Sequence, residues 1–380
     1  MCIRDRIQCS HFATLGCRLC SSNLHISLPT YVLVVQHDGL CESQCLPGMR
    51  TDGPQLPSPR REFGCVWHES SMDRLLLTVP SNCLTRSGFQ LDTNRHPVCA
   101  QQDIRIGHSP DPDDAFMFHA LTTGAFDTQG RNYVHEIHDI ERLNGYALEG
   151  RFEVSAVSIH SYPRIADRYE LMNCGASMGE GYGPILVSRT AMSIDEARSV
   201  TIAIPGLGTS AYLALRLAWG DVSVTIVPFD EIIPGVIRGE YDVGLVIHEG
   251  QVTWADDGLH LILDLGEWWH EQTGLPLPLG GNVVRRDLGE EMCLSIARDI
   301  ERSIRYSLDD PDSALDFAKS WGRGIDDETN REFVGMYVNQ RTLDYGEDGR
   351  EAVRRLISEG QNIGMVDGTL DVKRIEFIGV

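Results

Sequence analysis

From Ile104 onward the chain alternates short apolar runs with longer capped segments, and this alternation limits its fold more than any other feature. The runs VSAVS, VTIAIP and DVGLVI are five or six residues long, which is typical of buried strands. Between such runs lie segments that begin at acidic or hydroxyl residues and end at glycine, as helices do. Regular alternation of this kind predicts an α/β fold with mostly parallel sheets.

One pattern occurs twice, as EGRFEVSAVSIHS at 149–161 and as RGEYDVGLVIHEG at 238–250. Any two helix-to-strand joints share some of these features, but the length of the match favours two similar lobes. The repeated strands end at Ser158 and His248. Ligands bind beyond the carboxyl ends of parallel strands, so both residues are predicted to face one cleft.

The predicted architecture is a two-lobed α/β fold of the periplasmic-binding-protein type II, with a central ligand cleft. We assign residues 104–190 and 278–380 to a discontinuous first lobe and residues 191–277 to the second lobe. The strand ends, and the helices that start beyond them, are where the sequence predicts a binding site.

Residues 1–103 have a different composition from the rest of the chain. They hold nine of the 11 cysteines, and nine basic and nine acidic residues, so the whole net charge of −22 lies in the remainder. They show no sustained helical or strand period, and their cysteines fit neither a zinc module nor an even disulfide set. The opening MCIRDR resembles translated adapter sequence. We expect a spurious or disordered extension and exclude it from the fold prediction.

The net charge of −22 argues against nucleic acid and anionic membrane surfaces as partners, because phosphate binding requires clustered Lys and Arg. No apolar run is long enough to span a bilayer. The stretch RHPVCAQQ before Ile104 lacks a preceding apolar leader, so we expect a cytoplasmic protein that binds a small molecule. The sequence makes no prediction about the oligomeric state.

His248 is the leading catalytic candidate, since an imidazole at the end of a strand is held rigidly and titrates near neutrality. Glu249 is placed to orient it. The alternative is a histidine that only bonds a nearby loop. Position 252 is valine, so the zinc-protease motif HExxH is absent, and the spacing of the histidines at 119, 135 and 138 fits no standard metal set. We therefore expect no metal and no other cofactor.

The loop PGLGTSAY contains the second candidate site. Its glycines leave the backbone bare, and Thr209 and Ser210 then open a helix whose free amides suit a carboxylate ligand. The alternative is that Thr209 only caps the helix. In the loop HSPDPDD, at the end of the first strand, Asp113 or Asp114 is a further candidate for ligand contact, although helix capping alone explains acids there.

Five segments resemble one known family: SPDPDDAFMFHAL, LNGYALEGRFEVSAVSIHSY, PGLGTSAYLALRL, GLVIHEGQVTW and TGLPLPLGGNVVRRDLG. In order and spacing they are similar to the 1,4-dihydroxy-6-naphthoate synthases of the futalosine route to menaquinone. The resemblance implies a metal-free cleft with the catalytic histidine at His248. It also implies a substrate-contacting serine at Ser158 and the hydroxyl pair of the anion loop at Thr209 and Ser210.

Ala156, Val157 and Asp113 complete the predicted substrate-binding set. The activity implied by the resemblance is a carbon–carbon lyase reaction on cyclic dehypoxanthinylfutalosine, a carboxylated, nucleoside-derived substrate. His248 is expected to remove a proton, after which the sugar-derived fragment leaves and the ring system becomes aromatic.

The chain departs from the family pattern at three positions. Family members commonly have Cys and Asn where this chain has Asp111 and Asp113, and Lys where it has Ala156. Each change weakens a site for a carboxylated substrate. A solute-binding protein of a transporter and a chorismate dehydratase of the same pathway therefore stay open as alternative functions.

Overall fold

The computed structural model describes residues 32–36, 74–78, 102–319 and 326–379. The chain divides into two compact units, Met1–Gln101 and Gln102–Val380. In the first unit the strands Val32–Gln36 (β1) and Arg74–Thr78 (β2) pair antiparallel. Most of the prediction made for residues 1–103 falls outside the described residues.

In its described residues the second unit contains both strands and helices, with four strands in succession from 154 to 188 and five helices in succession from 290 to 362. Its strands are Gln102–His108 (β3), Arg131–Ile137 (β4), Val154–Ser158 (β5), Tyr169–Met172 (β6), Ser177–Gly179 (β7), Ile185–Ser188 (β8), Ile202–Ile204 (β9), Val224–Ile226 (β10), Val243–Val246 (β11), His260–Asp264 (β12), Leu277–Arg285 (β13) and Phe377–Ile378 (β14). Its helices are Pro112–Thr122 (α1), Ile140–Glu149 (α2), Ile194–Arg198 (α3), Ser210–Trp219 (α4), Ile232–Arg238 (α5), Gly250–Thr253 (α6), Leu265–Thr273 (α7), Glu290–Asp309 (α8), Pro311–Lys319 (α9), Asp327–Tyr337 (α10), Gln340–Leu343 (α11) and Gly346–Asn362 (α12).

The strands of this unit form two sheets. The first has the order β14-β6-β13-β5-β3-β4, with β7 paired to β13, and the second has the order β10-β9-β11-β8-β12. We call each sheet with the helices that cover it a lobe, the first lobe and the second lobe. The prediction of mostly parallel sheets is wrong, because β13 runs antiparallel to β5, β6 and β7, and β8 runs antiparallel to β11 and β12. Both are the first strands after the chain crosses between lobes.

The first crossing comes earlier than the sequence division placed it. β8 at 185–188 lies in the second sheet, whereas the division put every residue up to 190 in the first lobe. All four residues of β8 are buried. A short apolar run of this kind looks the same whichever sheet it joins, so its sequence does not reveal the crossing point.

The repeated pattern of the sequence corresponds to two equivalent joints in the structure. Gly150 ends α2 with φ 72° and Gly239 ends α5 with φ 74°, and β5 and β11 follow a few residues later. Both glycines are in the left-handed region, where a Cβ is disfavoured. The two joints therefore turn the chain in the same way from a surface helix into a buried strand.

The largest hydrophobic core cluster includes residues from both lobes and from the C-terminal helix α12. Leu171 and Val283 of the first sheet belong to it, as do Ile202 of the second sheet, Leu213 of α4 and Leu356 of α12. α8 instead packs on α1 in a second cluster. The C-terminal helices thus cover the first sheet and also contact the start of the second lobe, which holds the lobes around the space between them.

Candidate functional site

A cavity lies between the lobes, at the carboxyl end of β5 and the start of α4. It is lined by residues of the first-strand loop, β5, α4, β13 and α10, among them Ser109, Asp113, Asp114, Ala156, Val157, Ser158, Ser177, Thr209, Ser210, Ile247, Asn282, Phe333 and Tyr337. Its volume is about 110 Å³. Ligand sites commonly measure ~300–1,000 Å³, so this arrangement is a closed one and a bicyclic ligand would require the lobes to part.

The floor of the cavity is the face shared by β5 and β13. Ala156 is paired with Asn282 and Ser158 with Gly280 in this antiparallel ladder. Side chains alternate along a strand, so these residues share one face, whereas Val157 is fully buried in the core. The structure thus brings Ala156 and Ser158 together on the cavity floor, as the sequence predicts for a strand end.

Ser158 is held by Asn144 of α2. The amide N–H of Ser158 donates to the side-chain oxygen of Asn144 at 2.8 Å, and Nδ2 of Asn144 donates to the serine hydroxyl at 3.1 Å. Asn144 is buried, and the sequence analysis did not identify it. It lies five residues after the Asp139 cap and inside the family-like segment that begins LNGYALEG, and these signals could have pointed to it.

Thr209 is the N-cap of α4. Its hydroxyl accepts a hydrogen bond from the Tyr212 amide at 3.2 Å and donates to the carbonyl of Gly206 at 2.9 Å. The capping alternative for Thr209 is therefore what the structure shows. The cap aims the first turn of α4 at the cavity, and the first N–H groups of a helix have no partners inside the helix.

Ser210 links the two lobes. Its hydroxyl donates to the carbonyl of Leu279 in β13 at 2.6 Å and accepts from the amide of His160 at 3.1 Å. The serine is almost fully buried. In this closed arrangement its hydroxyl holds the helix against the first lobe, and its neighbour Ala211 also lines the cavity.

Glu141 makes a further bridge between the lobes. Both oxygens of its carboxylate accept the N–H of Gly208, at 3.1 and 3.0 Å. A Cβ at Gly206 would lie 2.3 Å from the Glu141 carboxyl carbon, and one at Gly208 would lie 2.9 Å from its oxygen. The glycines of the predicted anion loop therefore make room for a carboxylate of the same chain. The sequence analysis did not identify Glu141.

Asp113 and Asp114 start α1 beneath the cavity. Asp114 accepts the N–H of Ser109 at 2.7 Å, and Asp113 accepts the hydroxyl of Ser177 at 3.3 Å. Burial and the adjacent Asp114 raise the pKa of Asp113 to about 7, and burial raises the pKa of Asp114 to about 6. Of the described residues around the cavity none is Lys or Arg, so no basic side chain there offsets the acidic pair.

His248 lies beside the cavity rather than on its wall. Its neighbour Ile247 lines the cavity, but His248 is not among the lining residues. The Nδ1 atom accepts the N–H of Gly250 at 3.0 Å, and Nε2 lies 3.1 Å from the carbonyl oxygen of Phe229. These partners place the proton on Nε2. The ring is therefore held by the backbone of its own lobe, with a Glu249 oxygen 3.7 Å from Nδ1.

Tyr337 of α10 was also missed by the sequence analysis. It lines the cavity, and its hydroxyl donates to Gln251 of α6 at 2.5 Å. α6 begins two residues after His248, so this bond ties the histidine turn of the second lobe to the C-terminal helices of the first lobe. Nothing local in the sequence connects residues that are so far apart along the chain.

Among the described residues there is no group of three or more His, Cys, Asp or Glu side chains that could hold a metal ion. In the same part of the chain, every helix is too short or too polar to cross a membrane.

Comparison with known proteins decides the family. A sequence profile described as menaquinone biosynthesis matches residues 104–362. The chain belongs to the menaquinone biosynthesis family. Two curated members of the family are similar over almost their whole length, and both are named 1,4-dihydroxy-6-naphthoate synthase. The Thermus thermophilus protein is 40% identical over 263 residues, which is 69% of this chain and 95% of the relative. The Streptomyces coelicolor protein is 36% identical over 269 residues, 69% of this chain and 94% of the relative.

Solved structures confirm the fold expected of the menaquinone biosynthesis family. A crystal structure of an Archaeoglobus fulgidus protein has 43% identity and a TM-score of 0.67, and the match covers 70% of this chain and 98% of that one. The alkanesulfonate-binding protein of Xanthomonas axonopodis pv. citri has 10% identity and a TM-score of 0.56, with coverage of 74% and 99%. The predicted two-lobed fold of the periplasmic-binding-protein type is therefore confirmed.

Proposed function

We propose that this chain is a carbon–carbon lyase that converts cyclic dehypoxanthinylfutalosine to 1,4-dihydroxy-6-naphthoate in the cytoplasm, as a step of menaquinone biosynthesis. The observation that carries the proposal is the interlobe cavity, which is lined by the predicted residues Ser158, Thr209 and Ser210. The chain also matches 95% of the length of a protein named as this synthase. The substrate is a small carboxylated molecule derived from a nucleoside.

The substrate carboxylate would bind at the first turn of α4. The N–H groups of Ser210 and Ala211 lie in this turn, where an α-helix leaves its amides unpaired and carries a partial positive charge. Such a turn binds anions without a basic side chain, which suits a cavity whose described lining holds none. Parting of the lobes would also release the Ser210 hydroxyl from Leu279.

His248 would act as the general base, with Glu249 as its orienting partner. In the closed arrangement the Nδ1 lone pair is occupied by the Gly250 amide. A small rotation of the ring, with its proton exchanged from Nε2 to Nδ1, would let Nδ1–H donate to Glu249, now 3.7 Å away, and would turn the Nε2 lone pair from Phe229 toward the cavity. Nucleophile-activating histidines are oriented by a carboxylate in the same way.

In the reaction, His248 would take a proton from the bound substrate, and the electrons of that bond would drive cleavage of the carbon–carbon bond to the sugar-derived fragment. Loss of the fragment makes the remaining ring system aromatic, which favours the products. Helix-terminal amides are suited to stabilise a developing oxyanion, and closure of the lobes would keep water from the intermediate.

The first prediction concerns His248. In the His248→Asn variant we expect turnover of cyclic dehypoxanthinylfutalosine to fall by roughly two to four decades, the usual contribution of a general base. Binding of the substrate should change little, because the asparagine leaves the helix-terminal amides in place. Product formation followed by absorbance and substrate affinity by calorimetry measure the two effects.

His260→Asn is the matched control, since His260 is an exposed histidine on β12 of the same lobe. It should leave turnover unchanged. Near-normal turnover in the His248 variant would end the assignment of His248 as the base. The same wild-type preparation incubated with chorismate tests the dehydratase alternative, and binding of the substrate without any turnover would favour the solute-binding alternative.

A further inference from the structure

Asn282 has an acceptor that the protein does not use. The residue is only 1% exposed, and its Nδ2 donates to the carbonyl of Gly175 at 3.2 Å. Its Oδ1 has no hydrogen-bond partner among the described residues. Buried polar atoms are nearly always paired, so an unpaired acceptor on a cavity wall indicates a donor supplied by a ligand.

The orientation of this amide is determined by its surroundings. A Cβ at Gly175 would lie 2.1 Å from Nδ2, so the amide nitrogen packs directly against the bare backbone of that glycine. A flipped amide would bring Oδ1 against the Gly175 carbonyl, and two acceptors would then repel each other. The amide nitrogen is thereby committed to Gly175, which leaves Oδ1 as the unpaired atom of a residue that lines the cavity.

Asp113 of α1 is linked to the same strand, β13, through Ser177. Its carboxyl contacts the hydroxyl of Ser177, and Ser177 is paired with Gly280 where β7 joins β13. Gly280 and Asn282 are two residues apart on β13, so they lie on the same face of the sheet. Asp113 and Asn282 thus line the same cavity on the side of the first lobe, and neither position depends on the second lobe.

The chemistry of the two groups is complementary. Burial and the adjacent Asp114 raise the pKa of Asp113 to about 7, so near neutrality a large share of its carboxyl carries a proton and donates. Asn282 offers an acceptor. A hydroxyl group both donates and accepts one hydrogen bond, whereas a carboxylate only accepts and would face the acidic pair. A hydroxyl satisfies both residues at once.

We propose that Asp113 and Asn282 form a subsite that binds a ring hydroxyl of the ligand. Under the proposed function the first turn of α4 binds the carboxylate, so the two contacts together would fix the orientation of the ligand in the cavity. The identity of the ring rests on the proposed function, whose product carries hydroxyl groups on one ring and a carboxylate on the other. The subsite itself is a property of the described side chains.

Two probes isolate the hydroxyl contribution. 1,4-Dihydroxy-6-naphthoate has the ring hydroxyls, and 2-naphthoate has the same bicyclic carboxylate without them. With the wild-type chain at pH 6.5 under reducing conditions, calorimetry should show the dihydroxy compound binding at least about tenfold more tightly, the size expected of hydrogen bonds to a buried polar pair. Equal affinities for the two probes would overturn the subsite.

The variants Asn282→Ala and Asp113→Ala should each reduce this preference to about one, mainly by weakening binding of the dihydroxy probe. Asp113→Asn keeps a neutral donor of the same shape and should retain the preference within about threefold. The double variant should lose no more of the preference for the dihydroxy probe than the single variant with the larger loss, because both side chains contact one hydroxyl. Additive losses, or losses that affect 2-naphthoate equally, would contradict the proposal.

The result separates this inference from the proposed function. A wild-type chain that prefers the dihydroxy probe but releases no product from cyclic dehypoxanthinylfutalosine retains the subsite and loses the lyase assignment. A wild-type chain that turns over the substrate without any preference between the probes retains the lyase assignment and loses the subsite. If the Asn282→Ala variant has a much lower melting temperature than the wild type in the absence of ligand, the two Asp113 variants still test whether the subsite binds a hydroxyl.

Discussion

Asp113 shows how one buried side chain can tie stability to pH. An aspartate in an unfolded chain has a pKa of about 3.9. In the folded protein burial and Asp114 raise the pKa to about 7. The folded state therefore holds its proton more tightly, and the stability that this gives is complete below pH ~4 and is lost as the pH rises toward 7.

The second prediction follows from that sign. Asp113→Asn removes the ionisation, so its melting temperature should equal that of wild type near pH 4 and exceed it by a few degrees at pH 8. A shift of about three pKa units corresponds to an upper bound of ~4 kcal/mol. Differential scanning calorimetry at both pH values checks it, with Asp167→Asn as an exposed control. A variant less stable than wild type at pH 8 would contradict this account.

For individual residues, the sequence predicted which ones lie at the cavity better than it predicted the contacts of their side chains. Ser158, Thr209 and Ser210 reach the cavity because strand ends and helix starts converge between the lobes, and a pattern of elements reveals such places. The ring of His248 depends on two backbone partners, Phe229 and Gly250. Side-chain rotation and long-range partners of this kind are determined by packing, which a pattern does not contain.

Two glycines in one helix have opposite roles at the scale of elements. Gly150 ends α2 in the left-handed region, and a Cβ there would lie 2.9 Å from the Arg168 side chain. Gly145 lies in the middle of the same helix with open space around it. Only the first glycine is required by the fold.

The third prediction compares these two positions. Gly150→Ala should lower the free energy of unfolding by about 1 kcal/mol, because alanine is strained at positive φ. Gly145→Ala should raise it by roughly 0.5–1 kcal/mol through helix propensity. Urea denaturation of both variants measures the difference, and two changes of the same sign would show that the joint is not strained as described.

The order of elements was predictable, but their pairing was only partly so. Apolar runs and capping residues indicated β5, β11 and α4 because these signals are local. The strand order depends on where the chain crosses between lobes, and the antiparallel strands β8 and β13 carry no local mark of that crossing. The spacing of apolar residues therefore could not predict that the sheets contain both parallel and antiparallel strands.

For the molecule as a whole, polar bridges join the lobes in addition to the hydrophobic core that they share. Glu141 binds the Gly208 amide, Ser210 binds Leu279, and Tyr337 binds Gln251. Under the proposed function, the cavity of about 110 Å³ would have to open to admit a bicyclic substrate, and each bridge would then break and form again during turnover.

The fourth prediction concerns the Glu141 bridge. Glu141→Ala removes a charge-assisted hydrogen bond of roughly 1.5–3 kcal/mol from the closed arrangement, so the open form should be more populated. We expect a larger radius of gyration by X-ray scattering and about tenfold lower kcat, because an open site admits water. Glu149→Gln, an exposed change on the same helix, serves as the control. An unchanged radius and kcat would show that Glu141 does not stabilise closure.

The central place of β13 has a consequence for the order in which a newly made chain can fold. This strand lies between β6 and β5, although more than a hundred residues separate it from β5 in the chain. The second sheet, in contrast, is built from one continuous stretch. On the ribosome the stretch that is synthesised in the middle can therefore mature first. The strands of the first sheet that are made earlier cannot complete that sheet until β13 is synthesised. Until then their apolar edges are accessible to chaperones.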